Sequence, residues 1–173
     1  MLTDPSVVIT DLSGTVIDLV RGEDAGEGIE VYSGIISPGF VNAHCHLELS
    51  HLKGKIPQKT GLVGFVQQVM NNRSAQEELQ LGAMMEADSK MYDTGIVAVG
   101  DICNSSHSIA VKKQSKLLWH NFIEVTGFVG EVANKRLEEM KKVSKQFENE
   151  LHTHKTTLSP HAPYSVSKNL FHL

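Results

Sequence analysis

The sequence predicts an α/β fold, with a short β-hairpin ahead of a parallel sheet built from alternating strands and helices. Three observations carry this. Residues 7–20, VVITDLSGTVIDLV, are two β-rich runs flanking Asp11, Leu12, Ser13 and Gly14, which is turn chemistry. From about residue 42 onward, strand and helix patterns alternate, as crossover connections between parallel strands require. The run at 96–102, IVAVGDI, is short and almost continuously apolar, as expected of a strand covered on both faces.

The elements follow in order. After the hairpin, residues 21–30 are charged and glycine-rich and read as an exposed loop. The chain is then extended to about Asn42. Thr60 can cap a short helix with Leu62, Phe65, Val66, Val69 and Met70 on one side. A second helix at 76–92 repeats Leu79, Ala83, Ala87 and Met91 every four residues, and Gly95 lies just past its end. Strands are expected at 96–102, 117–125 and 156–159. A long helix at 132–151 carries Ala133, Leu137, Met140, Phe147 and Leu151, and another helix opens at 167–173. About four parallel strands result. They fit either an open four-stranded sheet or half of a larger closed barrel, since a complete eight-stranded barrel takes at least about 200 residues and this chain has 173.

Composition narrows the function. The 16 Lys and Arg against 20 Asp and Glu give a net charge of −4, which argues against nucleic acid, whose binders need a basic surface. No run reaches the ~18 apolar residues of a membrane helix, and the N-terminus lacks a signal-peptide pattern. Two cysteines, Cys45 and Cys103, are too few for a disulfide scaffold and read as buried small residues; a cytoplasmic setting is expected.

Two motifs carry chemistry. In SPGFVNAHCHLE, residues 37–48, His44 and His46 are two apart and share a face if the strand is extended, so both imidazoles can reach one metal ion while Cys45 points away. Imidazole suits Zn, Fe, Ni and Cu alike. Histidine pairs also occur on ordinary surfaces, but Pro38-Gly39 and Phe40-Val41 place this one where a buried strand emerges. Glu48 continues the i, i+2 series and faces the same pocket if extended geometry persists; otherwise it is a surface acid. In LSPHAPYSVS, residues 158–167, His161 sits between Pro160 and Pro163, which stiffen a strand-end loop. It is either a substrate-site group or a solvated turn histidine. Asp101 and Glu124 lie near strand ends, where parallel sheets bind ligands, although such acids often only bind loop amides. His152 and His154 are expected to interact with a helix C-terminus. His120, within an apolar strand, is expected to be a satisfied core residue.

PGFVNAHCHLE and SPHAPYSVS, in this order, resemble the amidohydrolase superfamily, in particular its cytosine-deaminase-like and chlorohydrolase-like metal-dependent hydrolases. The resemblance runs from about Ile35 to the last residue. It implies the N-terminal half of a TIM-type (β/α)8 metallo-dependent hydrolase barrel preceded by part of a small β-sandwich. The division would be a partial sandwich at 1–37 and a partial barrel of about four βα units at 38–173. It further implies that His44 and His46 are metal ligands, that His161 contacts substrate, and that one divalent metal is used, zinc ahead of iron; Glu48, if it faces the pocket, would hydrogen-bond a substrate or orient a ligand. HLELSH also resembles deaminases acting on adenosine-like nucleosides. In that branch hydroxide adds to an amidine-like ring carbon and ammonia leaves.

The family's third histidine ligand and its metal-binding Asp follow later strands, so the resemblance implies that these residues lie beyond Leu173. The expectation is an N-terminal fragment or truncated product holding zinc weakly through two histidines. It would act on a small molecule, with no nucleic acid or membrane partner, and a homodimer would cover the open barrel edges. The competing expectation is a catalytically inactive fragment serving as a binding or assembly module. An open nucleotide-binding sheet ranks below both, because no glycine-rich phosphate loop follows any strand.

Overall fold

The computed structural model describes residues 6–173. The chain divides into two compact units, one ending at Ser37 and the other Pro38–Leu173.

In the first unit, β1 (Ser6–Thr10) pairs antiparallel with β2 (Val16–Arg21). The turn forms as its residues dictate. Asp11 Oδ1 accepts from the Ser13 and Thr15 backbone N–H groups at 2.8 and 2.9 Å. Gly14 supplies the positive φ, +85°, that the reversal needs.

In the second unit, β3 (Phe40–Cys45), β4 (Ile96–Cys103), β5 (Leu118–Val125) and β6 (Lys155–Pro160) form a four-stranded sheet in chain order, every neighbour parallel. The sheet is open: β3 and β6 each have one partner among the described residues. The connecting helices are α1 (Gly61–Asn72), α2 (Glu77–Asp93), α3 (Ile109–Lys112) and α4 (Ala133–Glu150), with α5 (Lys168–Phe171) after β6. Sequence periodicity did not show α3, which is one turn long and too short to display a stripe.

β5 alternates strictly. Trp119, Asn121, Ile123 and Val125 are buried, while His120, Phe122 and Glu124 are half-buried on the other face. The buried face packs on the helices. Leu47, Met84, Val99, Val111, Leu117 and Trp119 form one cluster. Cys103, Ile109, Ile123, Phe147 and Leu151 form a second. The α2 stripe is shifted from expectation: Met84, not Leu79, is the buried anchor, and Leu79 is exposed. Ala87 and Met91 pack against it as expected. On α1 none of the residues is buried, so the apolar face of Leu62, Phe65, Val66 and Met70 lies open. Thr60 precedes α1 without making a side-chain cap.

The loops after β5 and β6 are tied together. His161 N–H donates to the Val125 carbonyl at 3.1 Å. Gly127 N–H donates to Ser165 O at 3.0 Å, and Ser167 N–H donates to Gly127 O at 2.7 Å, making a one-residue parallel bridge between Gly127 and Val166.

Candidate functional site

The carboxyl ends of four parallel strands lie side by side, and each delivers polar residues there. β3 carries His44 and leads into His46, β4 leads into Asn104 and Ser105, β5 carries Glu124 next to its last residue, and β6 leads into His161. This is the end of a parallel sheet where ligands bind.

The pairing of β3 with β4 shifts register between Asn42 and Cys45, an irregularity of the kind that re-aims side chains at sheet ends. His44 and His46 fall on the same side, with ring centroids 5.1 Å apart and planes at 67°. Cys45 packs against the helix-side core, as alternation requires. Burial, reinforced by neighbouring His44, holds the His46 imidazole below its usual pKa, against the opposing pull of Glu124. It is therefore neutral, the form in which imidazole ligates a metal.

Among the described residues no group of three His, Cys, Asp or Glu is placed to hold a metal ion. The two histidines nevertheless suit one. Two Zn–N bonds of about 2.0–2.1 Å meeting at a roughly tetrahedral angle place ring centroids about 5 Å apart, close to the observed spacing. His46 Nδ1 is buried with no hydrogen-bond partner among the described residues, so this ring carries an unmet polar atom.

Glu48 does not continue the extended series. The chain leaves the strand at Cys45 and turns into a 3-10 helix over Leu47–Leu52. Glu48 is buried, and its carboxylate is heavily used. Arg73 Nη2 donates to Oε1 at 2.7 Å, and Oε2 accepts from Asn104 N, Ser105 N and Ser105 Oγ at 3.2, 3.1 and 2.8 Å. It also lines a cleft of about 470 Å³ with Arg73, Gln80, Asn104 and His107.

Asn104 links this anchor to β5. Its Oδ1 accepts from Arg73 Nη2 at 3.1 Å, and its Nδ2 donates to Glu124 Oε2 at 2.9 Å. The other Glu124 oxygen lies 3.7 Å from His161 Nε2. His161 Nδ1 hydrogen-bonds Ser165 Oγ, and its ring meets Tyr164 edge-on at 5.6 Å. The His161 loop is thus ordered by backbone and side-chain bonds as well as by its prolines. Sequence reasoning missed Arg73, Asn104 and Ser105. The position of Asn104 and Ser105, immediately past an apolar strand, was a usable signal; Arg73, at the end of α1, offered none.

Asp101 is not at the site but behind it. It is 1% exposed, accepts the Leu47 N–H at 2.8 Å, and pairs with Lys112 Nζ at 2.5 Å. This is the loop-amide role that the sequence left open for strand-end acids. His120 is satisfied, bonded to Thr157 Oγ1 at 3.1 Å and stacked on Phe122. His154 does not serve the α4 terminus. Its Nδ1 accepts the Trp119 N–H at 3.1 Å.

A family model described as "Amidohydrolase family" matches residues 35–172. A Helicobacter pylori protein named adenosine deaminase (strain ATCC 700392 / 26695) is 31% identical over 140 residues, 79% of this chain and 33% of that protein. The crystal structure of Helicobacter pylori aminofutalosine deaminase in complex with methylthio-coformycin matches with a TM-score of 0.68 and 30% identity, over 78% of this chain and 32% of that one. At the level of fold alone, the zinc complex of atrazine chlorohydrolase from Arthrobacter aurescens TC1 matches 97% of this chain and 48% of its own, with a TM-score of 0.62 and 13% identity. The chain spans about a third of the length of the two deaminases.

Proposed function

The chain belongs to the amidohydrolase family, and from that membership we propose that it supplies part of the site of a metal-dependent deaminase acting on an adenosine-like compound or related cyclic amidine. The observation that carries this is the His44–His46 pair, two rings 5.1 Å apart at the carboxyl end of β3, with Glu124 and His161 at the carboxyl ends of β5 and β6. The two deaminases similar to this chain at 30–31% identity support the substrate class.

His44 and His46 would hold a divalent ion, zinc ahead of iron. Such an ion, when bound, generates a nucleophile at neutral pH and polarises the group under attack. The protein's own residues have distinct tasks. His46, held neutral by burial, keeps a lone pair for the ion. His161, oriented by Ser165 and facing Glu124, presents a ring nitrogen to a heterocyclic substrate. Glu124, fixed by the Asn104 amide, is placed to accept a hydrogen bond from an amino or hydroxyl group of the substrate. Glu48 lies with Arg73 at the adjoining cleft, where a more distant part of the substrate would contact the walls.

Elemental analysis of the purified, chelator-free chain tests this reading, alongside His44→Ala. The expected result is about one ion per chain or per pair of chains, lost in the variant. Ammonia release from adenosine and 5′-substituted adenosines then tests turnover. Metal-free protein that stays metal-free after incubation with Zn(II) would overturn the reading for this chain.

A further inference from the structure

Lys112 is 1% exposed, and its ammonium is fully enclosed. A buried ammonium persists only when its hydrogen bonds are met. Lys112 Nζ donates to Asp101 Oδ2 at 2.5 Å, to Asn121 Oδ1 at 2.7 Å and to Cys103 Sγ at 3.3 Å. The rings of Trp119 and Phe147 flank it, with centroids at 4.9 and 5.0 Å. One turn of helix α3 thereby locks one face of Asp101 to β4 and β5. The other Asp101 oxygen, Oδ1, accepts the backbone N–H of Leu47 at 2.8 Å. Leu47 is 0% exposed and directly follows His46, whose backbone (φ −126°, ψ 75°) forms the corner between strand and 3-10 helix. The His46 side chain makes no cap bond there, and the Asp101 carboxylate is what bonds the amide that follows the corner.

We infer that Asp101, clamped from behind by Lys112, is a positioning residue for the metal pair: it fixes the His46–Leu47 corner and with it the aim of the His46 ring. The inference rests on the reading of His44 and His46 as metal ligands. The carboxylate is buried, and it acts on the placement of His46 through the hydrogen bond it accepts from the Leu47 N–H. Partners of this kind, one step removed from the ligands, change metal affinity about 10- to 100-fold when removed.

Two double variants of the full chain separate positioning from cohesion, because replacing both members of a buried pair avoids stranding a charge. Lys112→Met with Asp101→Asn keeps an acceptor oxygen for Leu47 N–H. Lys112→Met with Asp101→Leu removes it. The readouts are Co(II) affinity by titration, exchange of the Leu47 amide, and the urea midpoint. The Asn pair is expected to bind Co(II) within about threefold of the parent. The Leu pair is expected to bind about tenfold or more weakly, with faster Leu47 exchange and a urea midpoint lowered by the unbonded Leu47 N–H. Equal Co(II) affinity and equal Leu47 protection in the two pairs would overturn the inference. So would a tenfold loss in the Asn pair, which also decides the matter if the Leu pair does not fold. If the parent chain binds no Co(II), the metal reading fails on its own. Leu47 exchange and the His46 ring resonances then still report whether Asp101 sets the corner.

Discussion

Gly100 lies on β4 where a Cβ would sit 2.8 Å from the Ala43 carbonyl oxygen and 3.2 Å from Phe122. Backbone cannot yield as a flexible side chain can, so Gly100→Ala should push β3 outward just before His44. The expected cost is about 1–3 kcal/mol in a urea melt. Lys112→Met alone should cost more, about 3–5 kcal/mol, because Asp101 is left charged and unpaired in the core. Burial governs the two thiols, and the same buried charge adds to its effect. Burial, with Asp101 alongside, pushes the Cys45 thiol up to about 12 and raises Cys103 as well. Neither should react with iodoacetamide at pH 8 in the folded chain, and both should do so in denaturant; mass spectrometry reads the difference. At this scale the sequence was legible wherever spacing fixes direction. His44 and His46 share a side, and Cys45 turns away, because alternation along a strand is geometric. The direction of Glu48 hung on extended backbone persisting past His46, and nothing in HLELS marks the point where it gives way to a 3-10 helix. Lys112 was invisible, since a lysine directly followed by Lys113, in IAVKKQSK, reads as solvated.

Among the elements, the β-α order and the termini of α2 and α4 could be read from apolar runs and the glycine at 95. The helix faces were less legible. Leu79 falls on the expected period of α2 yet is exposed, while Met84 is buried. Period alone cannot tell which of two adjacent apolar rows meets the sheet. The join between α4 and β6 offers a pH test. His154 accepts the Trp119 N–H, and burial together with the nearby Lys112 charge lowers its pKa from the ordinary 6.5. The unfolded chain therefore takes up this proton first as pH falls. The stability due to neutral His154 is complete above about pH 6.5 and declines as pH drops through that value toward the lower folded one. The urea midpoint should fall between about pH 7.5 and about pH 5.5, and His154→Asn should show a shallower fall, since its amide does not titrate in this range. An unchanged slope would assign the effect to other histidines.

For the whole molecule, the balance of covered and uncovered surface matters most. The outer edges of β3 and β6 carry no strand among the described residues, and Leu62, Val63, Phe65, Val66 and Met70 stand open on α1. Unpaired edges and apolar faces favour association. Light scattering on the chain is expected to give a mass above 19.0 kDa that rises with concentration; a constant monomer mass would refute this. The bridge between Gly127 and Val166 has a separate consequence. The segments after β5 and β6 share main-chain hydrogen bonds in both directions, so neither can swing without breaking the other's bonds. They form one stiff brim rather than two hinged flaps. A molecule that enters beside His161 meets a wall already set, and discrimination there would come from shape held in advance instead of from closure around the guest.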